Sequence, residues 1–358
     1  MSVGTSTASS VQNNTIANFS WSSTSGATTL PGVWAGIYLL SGSANIGTVT
    51  GNTIGSGTGN GSISITTSST GGVSVGISAA SGSGSTTSIS NNIIGSVNVL
   101  GNAGTISASF NGIWNTGSAT SITINNNTIG STSTANSINS SNSSTGTTAE
   151  VVQGILNSGS ATAIAITNNT IANLNSTYVP ASANSSTIVR GIFSSSGINT
   201  ITGNTIRNLS TAANATGTTS AASIIGISLT SSSAGTTLSQ NTIYGLSNSH
   251  ATAAVCVSGI HYGGATSGTN VVARNLVHSL SIVSTSATAD MRGINFASGL
   301  ANVQNNMIRL GIDASGTSLT TGIQITGLID VTSTSNTGMY FNSVYIGGSG
   351  VGTETGNT

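Results

Sequence analysis

Charged side chains are almost absent from this sequence. Lysine and arginine together number five, aspartate and glutamate together number five, and lysine itself does not occur. Charged residues therefore make up 3% of the 358 residues, against roughly 25% in typical soluble domains. Residues 1–149 carry no charged side chain at all. Because phosphate binding requires clustered lysine or arginine, the composition predicts no nucleic-acid partner.

Cysteine and long apolar runs are scarce as well. Cys256 is the single cysteine, so no internal disulfide can form, and a buried, unreactive thiol is the expected role. No apolar run approaches the ~18 residues of a membrane span, so no membrane insertion is expected. The start, MSVGTSTASS, has neither the basic nor the apolar part of a signal peptide. If the protein is exported, its signal has been removed or belongs to a longer precursor.

What the sequence does contain is a repeat built on asparagine. The element Asn-x-(Ile/Val) recurs ten times, with its asparagines at Asn14, Asn52, Asn92, Asn127, Asn169, Asn204, Asn241, Asn275, Asn306 and Asn342. An apolar residue lies three positions before each one, at Val11, Val49, Ile89, Ile124, Ile166, Ile201, Leu238, Val272, Val303 and Met339. Another lies two positions after it. This agreement in all ten copies indicates a structural repeat of about 36 residues.

A second repeated element, Gly-Ile, lies between the asparagine elements. Its glycines are Gly36, Gly76, Gly112, Gly154, Gly191, Gly226, Gly259, Gly293 and Gly322. Segments such as SITIN and AIAIT alternate apolar with polar residues, which is typical of strands. One strand cannot bury its apolar stripe alone, so the copies must stack. The sequence therefore predicts an all-β, parallel β-helix of about ten coils, formed as a single domain by residues 1–358.

The repeated asparagines have a structural explanation in such a fold. Each falls between two inward apolar positions, where the chain must bend from one sheet into the next. Asparagine tolerates the left-handed backbone conformation that we expect at this bend. Its side-chain amide can also bond the equivalent amide one coil away. We therefore predict an internal asparagine ladder along the rod.

The segments GSATSITINNNTIGS and VVQGILNSGSATAIAITNNTIANL resemble the right-handed parallel β-helix repeats of pectate-lyase-like proteins. More closely, they resemble the long, uncharged repeat regions of secreted surface proteins in Bacteroidetes-type bacteria. The resemblance covers nearly the whole chain. It implies a right-handed coil and an extracellular or cell-surface, adhesin-like or structural role. From the repeat length alone, two 18-residue turns of a left-handed hexapeptide coil remain an alternative.

The sequence contains no recognisable catalytic or metal-binding motif. Polysaccharide-cleaving β-helices gather carboxylates, and in lyases calcium and a basic residue, on one sheet. Here the acids are Glu150, Asp290, Asp313, Asp330 and Glu354, which occupy unrelated positions in the repeat. The sequence therefore predicts no catalytic residue, no metal site, no cofactor and no enzymatic activity. A polysaccharide lyase or hydrolase is the main alternative.

One outward column is a candidate binding site. The residue three after each ladder asparagine is small in the first five coils, and in the last five it is Arg207, Tyr244, His278, Arg309 and Tyr345. Stacked at ~4.8 Å intervals, these side chains can form a shelf for sugar rings, with arginine bonding hydroxyls or carboxylates. The alternative is a solvated face on which these side chains pack against one another.

The remaining charged and imidazole side chains give weaker signals. His250 and His261 have no partner in register, so solvent-facing or incidental packing roles are expected. Arg190 and Arg292 each precede a Gly-Ile and share an outward column, but two coils separate them. Asp290 lies two residues before Arg292 and is expected to form an exposed pair with it, which contributes only ~0–1 kcal/mol.

A second outward pattern resembles the hydroxyl arrays of ice-binding β-solenoids. It consists of residues four and two before the ladder asparagine, which are Thr48/Thr50, Ser88/Ser90, Thr123/Asn125, Ala165/Thr167, Thr200/Thr202 and Thr237/Ser239. In a chain so rich in serine and threonine the pattern also arises by default. Ice binding is therefore the second alternative to a structural role.

The sequence shows no capping helix at either end of the predicted rod. Open coil edges invite pairing with another chain. We therefore expect either a segment of a longer repeat protein or rods that associate end to end. The function favoured by the sequence is a non-enzymatic, extracellular scaffold, with glycans as possible partners.

Overall fold

A computed structural model describes residues 1–68, 71–101, 108–142, 146, 149–181, 187–332 and 337–349. The chain is an all-β parallel solenoid of about nine turns, with no helix among these residues. Four parallel sheets run along it, with ten, ten, eight and nine strands. The predicted fold class is confirmed, and the turns number about nine where ten coils were predicted.

Sheets 1 and 2 flank the ladder asparagines. Sheet 1 precedes them and contains Ser9–Val11, Ala44–Ile46, Thr86–Ser90, Ser121–Asn125, Ala163–Thr167, Ile198–Thr202, Thr237–Ser239, Val271–Ala273, Asn302–Gln304 and Gly338–Tyr340. Sheet 2 follows them and contains Thr15–Ile16, Thr53–Gly55, Ile93–Gly95, Thr128–Gly130, Thr170–Ala172, Thr205–Arg207, Thr242–Tyr244, Leu276–His278, Met307–Leu310 and Ser343–Ile346. Each coil thus crosses from sheet 1 to sheet 2 at its asparagine.

Sheets 3 and 4 complete each turn. Sheet 3 contains Phe19–Ser23, Ile63–Thr67, Val97–Gly101, Ile138–Asn142, Leu174–Ser176, Ser210–Thr211, Ser247–Asn248 and Ser281–Ile282. Sheet 4 contains Trp34–Leu39, Val73–Ala79, Ser109–Asn115, Val151–Asn157, Ile188–Ser194, Ile224–Leu229, Cys256–Gly263, Asp290–Ser298 and Gln324–Asp330. In most coils the longest connection runs from sheet 3 to sheet 4, and insertions likewise collect on one face in other solenoids.

The predicted asparagine ladder runs through all ten positions. At every step Nδ2 of one asparagine donates to Oδ1 of the next at 2.8–3.0 Å. Asn127 shows the complete pattern. Its Oδ1 accepts from the backbone and side-chain nitrogens of Asn92, and its Nδ2 donates to Asn169 Oδ1 and the Ile89 carbonyl. Both lone pairs and both amide protons are therefore used, as burial requires.

The left-handed backbone conformation does not lie at the ladder asparagine, contrary to the prediction. It lies one residue earlier, at Asn13, Asn91, Asn126, Asn168, Gly203, Gln240, Arg274, Asn305 and Phe341. A second left-handed position lies four residues after the ladder asparagine, for example at Asn18, Asn173 and Asn208. The two bends enclose the short sheet 2 strand. The ladder asparagine keeps an ordinary backbone because its side chain must point into the rod.

The interior is a stack of aliphatic side chains contributed by all four sheets. In sheet 1, Ile46 pairs with Val11 and Ile89 and is fully buried. The sequence placed Val49 in this row, but Val49 is 85% exposed. Residues 47–51 form an insertion between the strand and the ladder asparagine, and this insertion also removes Thr48 and Thr50 from the outward rows of sheet 1.

The repeated glycines form a column in the middle of sheet 4. A Cβ added to Gly154 would lie 2.6 Å from Ile171 Cγ2 and 2.7 Å from the Gly191 carbonyl oxygen. Gly36 through Gly293 repeat this environment, each beneath the next glycine and against an isoleucine or valine of sheet 2. In the last coil this place belongs to Gly327, because Leu328 pairs with Ile294. The prediction that Gly322 fills it was wrong.

Candidate ligand-binding faces

The predicted outward column of sheet 2 exists in the predicted register. Arg207 pairs with Tyr244, Tyr244 with His278, His278 with Arg309, and Arg309 with Tyr345. Exposure increases along this column, from half-buried Arg207, Tyr244 and His278 to exposed Arg309 and Tyr345, the latter 57% exposed. The structure therefore brings all five candidate residues together on one face.

Contacts within the column divide it into two halves. Arg207 Nη2 donates to the Thr132 carbonyl, 2.5 Å away and two coils earlier. The Tyr244 and His278 rings stack with centroids 4.9 Å apart and planes 4° from parallel. This half satisfies itself by packing, as the alternative interpretation of the column expects. Arg309 instead contacts Ser279 Oγ at 2.9 Å through one nitrogen, so the guanidinium keeps further donors toward solvent.

An open groove of about 420 Å³ occupies the other half of the column. One wall carries His278, Arg309 and Tyr345, and the other carries Leu276 and Met307. Met307 is 60% exposed, so this wall presents an apolar side chain to solvent. Planar, apolar and cationic groups therefore face the same space, a combination that suits a ring with a polar or anionic substituent.

Electrostatics in this groove favour an anion. Burial, and to a lesser degree the nearby Arg309, lower the pKa of His278. His278 is therefore neutral at pH 7, and its Nδ1 lies 2.8 Å from Ser279 Oγ. Arg309 supplies the positive charge, and in the described part of the chain it forms no ion pair.

The apolar wall of the groove was not predicted from the sequence. Leu276 and Met307 occupy the position directly after the ladder asparagine, where Thr15, Thr53, Thr128, Thr170, Thr205 and Thr242 stand in six other coils. The replacement of threonine by two larger apolar residues in adjacent coils was the available signal. It falls two coils after the change from small to aromatic or cationic residues, in the coils that carry His278 and Arg309.

The predicted hydroxyl array lies on the outer face of sheet 1, except for its first pair. Thr123 pairs with Ser88 and with Ala165, and Thr200 pairs with Thr237. Asn45 takes the first place, which was assigned to Thr48. Neighbouring members bond one another, as in the 2.9 Å contact of Thr167 Oγ1 with Asn125 Oδ1. The array is thus partly satisfied within the sheet.

A polar cluster on the outer face of sheet 4 was not predicted from the sequence. Residues 212–222, here called the strap, leave the rod between sheets 3 and 4, and an antiparallel bridge joins Thr216 to Ala222. The Thr218 carbonyl accepts from Arg292 Nη1 at 2.9 Å and from Asn295 Nδ2 at 3.1 Å. The Ser220 carbonyl accepts from Arg190 Nη2. The strap therefore joins side chains from coils that are far apart in sequence.

The structure corrects the expected exposure of the Asp290–Arg292 pair, and it gives His261 the packed rather than the solvent-facing role. Asp290 and Arg292 do pair, with Oδ2 and Nη2 2.6 Å apart, but their side chains are 7% and 13% exposed rather than open to solvent. His261 is 2% exposed, and burial, together with Arg190 and Arg292, lowers its pKa to about 4. It is therefore a neutral, buried imidazole 3.4 Å from the Asn295 amide.

The single thiol lies beneath the same strap. Cys256 is fully buried and packs with Ala222 and Ile225. Burial and the nearby Asp290 raise its pKa to about 12, so the thiol is protonated at neutral pH. The prediction of a buried cysteine is confirmed.

The other described acids lie in different settings. Glu150 is fully buried inside the rod, where Ser176 Oγ and the Ala108 N–H donate to its two oxygens. Asp313 and Asp330 bond the backbone of their own turns. Glu354 lies outside the described residues. Among those described, no group of three or more histidine, cysteine or acidic side chains could hold a metal ion.

Comparisons with known proteins leave the family open. No protein-family model, no curated protein and no solved structure matches the chain. The solenoid fold is established by its sheets and ladder, whereas the resemblance to pectate-lyase-like and Bacteroidetes-type surface repeats stays a prediction. Within the described residues there is no helix of the length and apolar character needed to cross a membrane.

Proposed function

We propose that the chain is a non-enzymatic structural rod of an extracellular, adhesin-like protein. The unbroken asparagine ladder carries this proposal, because it links every coil to its neighbours through fully paired, mostly buried amides. A rod of this kind is stiff along its axis and presents a nearly uncharged surface. Such a surface needs few of the ion pairs that salt and pH would disturb.

The placement of the acids supports a non-enzymatic role. Glycoside hydrolysis uses two carboxyl groups that face one substrate bond. Here Glu150 lies inside the rod, Asp290 is paired with Arg292, and Asp313 and Asp330 are engaged in turns. No two of these four carboxyl groups are joined by a hydrogen bond or share a groove wall.

Glycan binding on sheet 2 is the second candidate function. The observation that favours it is the groove between Arg309 and Tyr345 on one side and Met307 on the other. Sugar rings stack on tyrosine through their apolar faces, and arginine bonds their hydroxyl or carboxylate oxygens. In this proposal the rod displays the groove near one end.

A glycan array and a lyase and hydrolase screen separate the two candidates. The variants are Arg309→Ala and Tyr345→Ala, and Arg274→Ala serves as the control because Arg274 is exposed but lies outside the groove. If the groove binds glycans, both groove variants weaken binding by about tenfold, roughly 1.4 kcal/mol, and the control does not. Binding that survives both groove variants removes this candidate. Turnover of any polysaccharide by the wild type contradicts the structural proposal.

A further inference from the structure

The strap covers a concentration of polarity that is unusual for this chain. Arg190, Arg292 and Asp290 are three of its ten charged residues, and all three lie on the outer face of sheet 4 beneath or beside the strap. His261 and Asn295 lie between them and are 2% and 0% exposed. This face is distinct from the sheet 2 groove.

The strap itself indicates which ligand atoms this face can hold. It offers only two backbone carbonyl oxygens to three side-chain donors, on Arg190, Arg292 and Asn295. Peptide carbonyls are uncharged, single acceptors. A carboxylate in their place would form shorter, charge-assisted and bidentate bonds with guanidinium groups. The site carries two guanidinium groups against one carboxylate, so an anion also balances its charge.

Several buried polar atoms on this face of sheet 4 have no hydrogen bond among the described residues. These are Arg190 Nε, Ser228 Oγ, Asp290 Oδ1 and Asn295 Oδ1. They are four of only seven such atoms in the described part of the chain. An unpaired buried polar atom costs about 1–3 kcal/mol. Arg190 Nε and Ser228 Oγ can donate to a ligand, whereas Asp290 Oδ1 and Asn295 Oδ1 can accept from hydroxyl groups.

We propose that the strap is a displaceable cover over a binding site for a small hydroxylated carboxylate, such as an acidic sugar. The carboxylate replaces the Thr218 and Ser220 carbonyls as the acceptor for Arg292 and Arg190. Hydroxyl groups of the ligand donate to Asp290 and Asn295. The strap swings outward when the ligand binds, because the strap carbonyls and the carboxylate cannot accept from the same Arg190 and Arg292 donors at once.

Cys256 provides an intrinsic reporter of this displacement. It is the only cysteine of the chain, it is fully buried, and the strap residue Ala222 packs against it. Opening of the strap removes that contact and admits a thiol reagent. The rate of labelling then follows the population of the open state when opening and closing are fast.

The experiment measures maleimide labelling of Cys256 in the folded wild type, with D-glucuronate as the probe and methyl glucoside as its uncharged counterpart. A ligand that binds only the open state, at ten times its Kd, raises the open population and the labelling rate by about tenfold. Arg292→Gln is expected to abolish the acceleration. Arg274→Gln, which changes an exposed arginine outside both the strap site and the sheet 2 groove, is expected to retain it.

Calorimetric titration of the wild type with glucuronate provides a test that needs no variant. Binding heat together with faster labelling supports the proposal. Absence of heat and of acceleration into the millimolar range overturns it, and so does equal acceleration by methyl glucoside. Slower labelling with glucuronate would show binding over a closed strap and would also overturn it. If Arg292→Gln does not fold, these wild-type outcomes decide.

Discussion

Glu150 is the residue whose environment most clearly links protonation to stability. Burial raises the pKa of this carboxyl above its ordinary value of 4.5, although the bonds from Ser176 and Ala108 act in the opposite direction. The unfolded chain therefore loses its proton at lower pH than the folded chain. By linkage, the contribution of Glu150 to stability is complete below about pH 4.5 and is lost as pH rises through the higher folded pKa.

Glu150→Gln is expected to stabilise the rod at neutral pH. Glutamine keeps the size and one acceptor of the carboxyl but carries no charge to bury. Thermal melting should give a Tm higher than that of the wild type by roughly a few degrees at pH 7, with the difference shrinking toward pH 4. Asp313→Asn is the control, because hydrogen bonds from Ser315 and Thr317 lower the pKa of this exposed carboxyl and give the opposite pH trend. A pH-independent gain for Glu150→Gln would contradict the explanation.

At the scale of an element, the glycine column determines how closely sheets 2 and 4 can pack. Sheet 4 can approach the isoleucines of sheet 2 only where a side chain is missing, and Gly154 has backbone on one side and Ile171 on the other. Because the next coil lies directly above, neither neighbour can move without displacing another coil. The column therefore fixes the distance between the two sheets along the rod.

Gly154→Ala tests this constraint with one added methyl group. Overpacking of a filled interior typically costs about 1–3 kcal/mol, and we expect a loss of that size in urea unfolding followed by circular dichroism. Gly82→Ala is the matched control, because a Cβ at Gly82 meets no atom within 4 Å, and its change should stay within about 0.5 kcal/mol. Equal losses in both variants would argue against close packing as the cause.

The repeat elements were predictable because the same residue types recur at the same positions of each coil. Ile124, Asn127 and Ile129 recur at fixed spacing, and the stacking that this spacing implies was sufficient to predict the ladder. Val49 and Gly322 are the exceptions to this regularity. Each matches the local pattern, but insertions shift the true positions to Ile46 and Gly327, and register is decided by the neighbouring coil.

The binding faces were less predictable than the coils for a related reason. The Arg207 to Tyr345 column follows from register alone, so it was found. The strap contacts join Thr218 to Arg292 and Asn295, which are 74 and 77 residues away. A loop that lies across several coils leaves no periodic signal in the sequence. The spacing of the repeat therefore predicts neither the residues that the strap contacts nor the burial of His261.

At the scale of the whole molecule, the direction of the ladder distinguishes the two ends of the rod. Every asparagine donates to the next one along the chain, so Asn14 Oδ1 accepts no bond among the described residues. At the other end, Asn342 receives from Asn306 and donates through Nδ2 to the Val303 carbonyl. Its backbone N–H and second amide proton have no acceptor among the described residues, whereas in the earlier coils these groups bond the next ladder asparagine. A second copy could therefore continue the ladder from Asn342 to Asn14.

We predict that the isolated chain associates end to end at high concentration. The last coil also exposes Tyr340 and Phe341, which are 52% and 84% exposed, so stacking would bury apolar surface. Asn342→Asp should weaken association by about tenfold in analytical ultracentrifugation, since the carboxylate cannot donate to the oxygen of Asn14. Asn60→Asp adds the same charge on an exposed side loop and should have no effect. Monodisperse wild-type monomers would contradict this prediction.

A one-way ladder also has a kinetic consequence. Any fibre grown by such stacking would be polar, because the ladder asparagine offers an acceptor at one tip and donors at the other. Subunits arriving at the two tips would meet different partners, so the tips should elongate at unequal rates. Seeded growth, watched on single fibres, would reveal a fast and a slow end.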